Sequence, residues 1–202
     1  LDRFELANFP AYFQNNYGYP FGCNITAAAM VVTYKGVNVN PIGFYSHPSL
    51  TNETTPLTLG SDGRPSYWGN PNVGFVGNPA GSPGTYQGYG VYWNPVATTI
   101  NAYLGTGRAQ VYRGYNVPAM LKEVEQGNPA ILWWQNGVST PTQLSWNSPS
   151  GVVTGVNGMH SEVVIGYIGT PENPSSIITQ DPWRGRRTIP ISTFNALWTY
   201  YG

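Results

Sequence analysis

Residues 18–30 read GYPFGCNITAAAM, where a loop rich in glycine, proline and aromatic residues runs into a series of small helix-forming residues. The apolar segment that follows begins directly after Gly22 and ends at Gly36, and glycine adopts the left-handed conformation of a helix end at little cost. We therefore predict a buried helix that begins at Cys23. This residue is the sole cysteine of 202 residues, and an isolated cysteine is usually a small buried hydrophobic residue. The rest of the chain must decide whether it does more.

The composition indicates a folded, loop-rich protein and argues against nucleic-acid binding. Charged residues make up 9% of the chain, against an average of about 25%, while 41% of residues are hydrophobic and 14% are aromatic. We expect one domain over residues 1–202, because a chain of this length can bury a sufficient core. Nine basic and nine acidic side chains leave no net charge to attract a nucleic acid or an anionic membrane.

Targeting and metal-binding signals are weak. No apolar run approaches the roughly 20 residues of a membrane span, and the first residues, LDRFELANFP, lack the apolar middle region of a signal peptide. Few lysines together with abundant Asn, Thr, Tyr and Gly resemble the surfaces of exported bacterial proteins, so we expect an extracellular or cell-surface location. One cysteine and two distant histidines offer no zinc-like spacing, and we expect neither a metal nor another cofactor.

The order of the predicted elements is helices first and strands second. Residues 46–93 lack sustained periodicity and are predicted to be a long loop, whose aromatic part, residues 66–93, would form open walls of a cleft. The predicted helices after the first cover 94–105, with Asn94 as N-cap, 116–127, behind Asn116, and 192–201, capped by Ser192. The predicted strands cover 130–136, 161–168 and 175–180. This order is typical of an α+β fold, with a helical half over about 1–127 and an antiparallel half over about 128–202.

A cysteine at a helix N-terminus faces unpaired backbone N–H groups and the positive end of the helix dipole, which favour the thiolate. Cys23 is therefore a candidate nucleophile. Such a nucleophile needs a base, and an imidazole is suited to this near neutral pH. His47 lies between turn-forming residues in the long loop and is the weaker candidate. His160 leads into an apolar strand and follows Cys23 by 137 residues, within the roughly 130–150 found in papain-type peptidases.

A catalytic histidine needs a third group that fixes its orientation. Asp181 comes directly after a predicted strand and is the best candidate; Glu162 competes, but its carboxylate is as well explained as an exposed polar edge. A tetrahedral intermediate also needs hydrogen-bond donors for its oxyanion. Gln14 is the first candidate for the side-chain donor, with Asn15 and Asn16 as alternatives.

These residues lie within an ordered set of motifs that resembles a known family, the papain-fold cysteine peptidases related to the double-glycine leader peptidases of bacteriocin exporters, and more narrowly its stand-alone bacterial branch. The resemblance covers about residues 10–200. One departure is Asn24, where relatives often have Gly or Glu. The motifs are QNNYGYPFGCNITAAAM (14–30), FVGNP (75–79), GYGVY (88–92), GNPAILWWQNG (127–137), HSEVVIGY (160–167) and QDPW (180–183).

The resemblance implies a papain-like fold, with Cys23 as nucleophile, His160 as general base and acid, Asp181 as the group that orients the histidine, and Gln14 as oxyanion donor. It implies a peptide or protein substrate, and we expect a monomer. Two alternatives stay open: the same residues could transfer the acyl group to an amine, or the protein could be a non-catalytic secreted or cell-surface binding module. Processing after a Gly-Gly leader does not follow, because no transporter or nucleotide-binding segment accompanies the motifs.

Overall fold

The helices lie mainly in the first part of the chain. The computed structural model describes residues 2–114, 116–135 and 142–201, with residues 199–201 described by their backbone alone. A short 3-10 helix precedes the first α-helix. The helices are the 3-10 helix (Gln14–Tyr17), α1 (Cys23–Tyr34), α2 (Pro41–Tyr45), α3 (Trp93–Leu104), α4 (Val117–Glu125) and α5 (Ile191–Tyr201).

Helix α1 begins at Cys23, as predicted, and is buried on all sides. Every residue from its start to Val32 is buried, because small side chains let other elements approach closely around the helix. Ala27 and Met30 pack in one hydrophobic core with the main sheet, whereas Ala28 and Ala29 pack in a second core with residues of α2 and α3. The helix ends before Gly36, whose φ of 105° is a conformation that favours glycine.

The boundaries of the other helices correct part of the prediction. Helix α3 begins at Trp93 with Tyr92 as N-cap, so Asn94 lies inside the helix and does not cap it. Helix α5 begins at Ile191, which places Ser192 within it. The predicted cap of α4 is confirmed, since Asn116 Oδ1 accepts a hydrogen bond of 2.8 Å from Ala119 N.

The main sheet is antiparallel and contains the three predicted strands. Strand β10 lies at its centre: β7 pairs with its first half and β1 with its second half on one side, and β11 and then β12 follow on the other. Asn136, the predicted end of the strand now called β7, lies outside the described residues. The strands are β1 (Arg3–Glu5), β7 (Ala130–Gln135), β10 (Met159–Gly169), β11 (Pro174–Asp181) and β12 (Gly185–Pro190).

Two smaller sheets are built partly from the predicted long loop. That segment contains five strands of two or three residues, too short to show any periodicity in the sequence. One sheet joins it to a hairpin from the second half of the chain, so the two halves interlock. The sheets are β2 (Asn52–Glu53), β5 (Phe75–Gly77) and β6 (Gly88–Gly90), and β3 (Thr58–Leu59), β4 (Pro65–Tyr67), β8 (Gln143–Ser148) and β9 (Gly151–Val156).

An aromatic cluster, defined here as Trp68, Tyr89, Tyr92 and Trp146, covers the inner face of the β8–β9 hairpin. All four side chains are buried, so three aromatic residues of the predicted loop form a core where an open wall was expected, whereas Tyr67 is exposed. The rings of Tyr89 and Trp146 lie 4.9 Å apart, and the hydroxyls of Tyr89 and Tyr92 form a hydrogen bond of 2.7 Å.

The α+β fold class is confirmed, although the division into halves is not strict. Strand β1, from the helical half, completes the main sheet beside β10. The single domain over residues 1–202 stays a prediction. In the part of the chain that is described, no helix combines the length and the apolar character needed to cross a bilayer.

Candidate active site

Cys23 is the first residue of α1 and lies where the loop and the helix meet. Gly22 precedes it as N-cap without a side-chain cap, which leaves the orphan N–H groups of the first turn facing the thiol. The loop needs a glycine here, because a Cβ at Gly22 would lie only 2.6 Å from the Cβ of Tyr19. Cys23 is 5% exposed and therefore buried.

His160 lies between the other two members of the predicted triad. It is the second residue of β10 and is 2% exposed. Its Nε2 lies 2.8 Å from Asp181 Oδ1, and its ring is close enough to the Cys23 thiol to interact with it electrostatically. Burial disfavours the charged ring, but the interactions with Asp181 and Cys23 outweigh burial and raise the pKa of His160 to about 9.

Asp181 ends β11 and is completely buried. Because an ionised carboxylate only accepts hydrogen bonds, His160 donates from Nε2 to Asp181. Two further donors hold the carboxylate, each at 2.8 Å: Trp183 N on Oδ1 and Arg184 Nε on Oδ2. Burial raises the pKa of Asp181, but the hydrogen bond with His160 and the other donors lower it below the usual range.

Glu162, the predicted competitor of Asp181, is not an exposed edge residue but is 0% exposed. Its carboxylate accepts hydrogen bonds from Trp134 Nε1 at 3.0 Å and Thr179 Oγ1 at 2.8 Å. Arg187 contacts both of its oxygens, at 2.8 and 3.1 Å. Glu162 is therefore held by partners other than His160. We call His160, Glu162, Asp181, Arg184 and Arg187 the charged centre.

Gln14 lies close to the triad but its side-chain amide is partly engaged. Its backbone N donates to the carbonyl of Pro182, the residue after Asp181, at 2.9 Å. The side chain is 2% exposed, and Nε2 donates to Pro20 O at 2.7 Å while Oε1 has no hydrogen-bond partner among the described atoms. An amide nitrogen has two hydrogens, so one is left for an oxyanion. Asn15 and Asn16 are exposed.

Asn24 connects the two catalytic elements, a role that the sequence analysis missed. It is fully buried, and its Oδ1 accepts from Val91 N at 3.1 Å. Its Nδ2 donates to Ser161 Oγ at 2.6 Å and lies 3.4 Å from Met159 Sδ. Asn24 follows Cys23, whereas Met159 and Ser161 flank His160. A polar residue inside an apolar helix was the available signal, and its partners are 67 or more residues away.

His47, the weaker candidate base, lies in a different environment. Its Nδ1 accepts from Ser49 N at 3.0 Å, and its ring lies 4.7 Å from that of Tyr103. Its contacts are with loop and α3 residues, and none of the contacts described for it involves Cys23.

Three groups of the charged centre could be considered as metal ligands. Donor atoms of His160, Glu162 and Asp181 lie within 4.8 Å of one another. Each carboxylate already binds a guanidinium, that of Arg187 or Arg184, and a cation would have to displace them. This donor set fits an ion-pair network better than a metal centre.

A cavity of about 860 Å³ is lined by residues of α3, α4, β7 and β9. Met159 and Trp133 line it, but Cys23, His160 and Asp181 are not among its described lining residues. The described lining thus includes Met159, which precedes His160 in β10, but none of the three catalytic candidates.

A helix that presents a thiol to a histidine on the neighbouring antiparallel sheet defines the class of papain-like, cysteine-peptidase-related proteins. Residues 6–202 match the Peptidase C39-like family, and the chain belongs to this family. Its sequence is 30% identical over 186 residues to the uncharacterized protein YvpB of Bacillus subtilis (strain 168), covering 90% of this chain and 66%, just under two thirds, of that protein.

A crystal structure confirms the fold. It is the crystal structure of a putative C39-like peptidase from Bacillus anthracis. The two structures agree with a TM-score of 0.79 at 24% sequence identity, covering 100% of this chain and 94% of the other. The predicted resemblance to bacterial C39-related peptidases is thereby confirmed at the level of family and fold.

Proposed function

We propose that the protein is a cysteine peptidase that hydrolyses peptide or amide bonds through a covalent acyl-enzyme. The Cys23 thiolate attacks the carbonyl carbon and forms the S–C bond. Protonated His160 then gives its proton to the leaving amine as the C–N bond breaks. His160 next removes a proton from water, which attacks the thioester and releases the carboxylic acid and the thiolate.

The observation that supports this proposal best is the position of one imidazole between a thiol and a buried carboxylate. A hydrogen bond to Asp181 fixes the ring, and the proximity of the ring to the Cys23 thiol gives the proton a short path. The raised pKa of His160 keeps the ring protonated near neutral pH, so that it can give a proton to the leaving amine. Membership of the C39-like family supports the same chemistry.

Activity-based labelling tests the nucleophile. An epoxide or vinyl-sulfone probe should label Cys23 of the wild-type protein, and the adduct is mapped by mass spectrometry. His160→Ala should slow labelling by about 100-fold or more, because it removes the base. His47→Ala is the matched control and should label like the wild type. The proposal fails if His160→Ala labels as fast as His47→Ala, or if Cys23→Ala retains hydrolysis of a peptide library.

Gln14 is proposed as one oxyanion donor, together with the backbone N–H of Cys23. Loss of one such donor lowers kcat by about 100-fold or more in acyl-transfer enzymes. Gln14→Ala should therefore lower kcat with little change in KM, whereas Asn15→Ala, an exposed neighbour, should leave both unchanged. Equal kinetics for the two variants would remove Gln14 from this role.

One observation favours the non-catalytic alternative, namely that only 5% of Cys23 is exposed. A binding module could retain the three residues without turnover. Alkylation of the native protein by iodoacetamide decides: a thiol that reacts only after unfolding would support the binding module, and fast labelling would support the peptidase.

Adding a primary amine to the peptidase assay tests acyl transfer, since an amide product would show that an amine replaces water.

A further inference from the structure

The geometry points to Arg184 as a positioning residue for His160. Arg184 holds Oδ2 of Asp181, the oxygen that does not contact His160, and thereby limits how tightly His160 binds its proton. This inference rests on the proposed function, because it concerns the base of the same site. No motif that suggested the peptidase family includes Arg184, and its position follows from the contacts of the carboxylate alone.

The two oxygens of Asp181 have different partners. Oδ1 receives hydrogen bonds from His160 and from Trp183 N, both at 2.8 Å. Oδ2 lies 2.8 Å from Arg184 Nε and 3.9 Å from Arg187 Nε. Since Arg187 binds Glu162 through two nitrogens, Arg184 is the cation directly bound to Asp181 within the described part of the chain. Arg184 therefore fixes the rotation of the carboxylate that orients the imidazole.

The charges around the site are balanced. The titratable and charged groups that face Asp181 and His160 in the described structure are Cys23 from α1, Glu162 from β10, Arg184 from the turn after β11, and Arg187 from β12. Asp181 and Glu162 are both 0% exposed, and their donor oxygens lie within 4.8 Å of His160. Two guanidinium groups offset these two carboxylates, which leaves the thiol and the imidazole to balance each other.

Removing Arg184 should leave Asp181 with an excess of negative charge. A more negative carboxylate stabilises the imidazolium, so the pKa of His160 should rise in Arg184→Ala. The side chain of Arg184 is 37% exposed, so water screens its charge and the rise should be modest, about half a pH unit. A Lys at this position keeps the charge without the planar fork, and should show less than half of that rise.

The experiment is an NMR titration of the imidazole signals from pH 5 to 11. The chain has only two histidines, so the signal of His47 is an internal reference for folding. Arg186→Ala is the matched control: Arg186 lies two residues further along, pairs with Glu5 of β1, and also removes one positive charge. We expect a higher titration midpoint for His160 in Arg184→Ala and an unchanged midpoint for His160 in Arg186→Ala.

Three results would overturn the inference: no change of the His160 midpoint in Arg184→Ala, a lower midpoint, or an equal rise in Arg186→Ala. A purely structural role of Arg184 would broaden or lose signals without moving the midpoint. Because the titration does not depend on turnover, it separates the two proposals. A shifted midpoint in a protein that hydrolyses no peptide would contradict the proposed function alone, and an unshifted midpoint in an active peptidase would contradict this inference alone.

Discussion

The charged centre and the aromatic cluster are two buried regions that are stabilised by different forces. In the charged centre, each carboxylate is surrounded by donors, and its geometry is fixed by hydrogen bonds and ion pairs. The aromatic cluster is stabilised by ring packing and a few hydrogen bonds. Buried charges are costly unless they are fully paired, whereas buried rings gain from their area. Loss of one partner should therefore lower the stability most in the charged centre, where it leaves a buried charge unpaired.

The largest effect is expected for Arg187→Ala. It leaves Glu162, which is 0% exposed, without its cation, and unfolding by urea should show a loss of about 3–5 kcal/mol. Arg186→Ala breaks the more exposed pair with Glu5 and should cost under about 1 kcal/mol. Equal losses in the two variants would show that the charged centre is no more sensitive than the surface.

The pH dependence of stability should come from the charged centre. The folded pKa of His160 is raised to about 9, so its contribution is complete below about pH 6.5 and is lost as the pH rises towards 9, by at most about 1.4 kcal/mol per pH unit. Burial raises the pKa of Tyr92 to about 12, so this member of the aromatic cluster does not change the stability between pH 6.5 and 9. Asp181, whose pKa is lowered, stabilises above about pH 4 and loses its contribution as the pH falls further.

Urea unfolding at pH 6, 7, 8 and 9 measures this slope. In Asp181→Asn the carboxylate that helps to raise the pKa of His160 is absent, so the decline above pH 6.5 should flatten. An unchanged decline in Asp181→Asn would assign the slope to other groups.

Within the aromatic cluster, overpacking should cost about 2 kcal/mol. Gly155 lies on β9 against the hydroxyls of Tyr89 and Tyr92, where an added Cβ would overlap both. Gly155→Ala should lower the unfolding free energy by that amount, whereas Thr154→Ala, at an exposed position of the same strand, should cost under about 1 kcal/mol. A neutral Gly155→Ala would mean that the two tyrosines can move apart.

The smallest effect is expected for Trp146→Phe, which keeps a ring but loses the hydrogen bond of 2.8 Å from Nε1 to Gly69 O. The unfolding free energy should fall by about 1 kcal/mol, since the group that is left unpaired is a neutral carbonyl. Trp183 is 52% exposed, so Trp183→Phe is the control and should leave the stability unchanged. A loss above 3 kcal/mol in Trp146→Phe would remove the difference between the two regions.

Local patterns predicted the long elements and missed the short ones. The helix at Cys23 and the strands that became β7, β10 and β11 are long, apolar and bounded by glycine, proline or asparagine, so their local signal agreed with the fold. Strands of two or three residues in residues 46–93 carry no period, whereas β8 alternates exposed and buried residues, a period-two signal that the sequence analysis missed. The N-caps at Asn94 and Ser192 were wrong because each helix begins one residue earlier, so that each of these residues is the second residue of its helix.

The sequence by itself determined the family, the α+β order and the residues proposed for the triad, because a thiol at a helix start and a histidine at a strand start are local features. Only the tertiary structure decided the role of Asn24, the burial of Glu162 and the pairing of Arg184 with Asp181. Those contacts join residues from different elements, and whether a buried polar group finds a partner depends on which strands meet. The physical reason is that hydrogen bonds and ion pairs act over a few ångströms in space, whatever the distance along the chain.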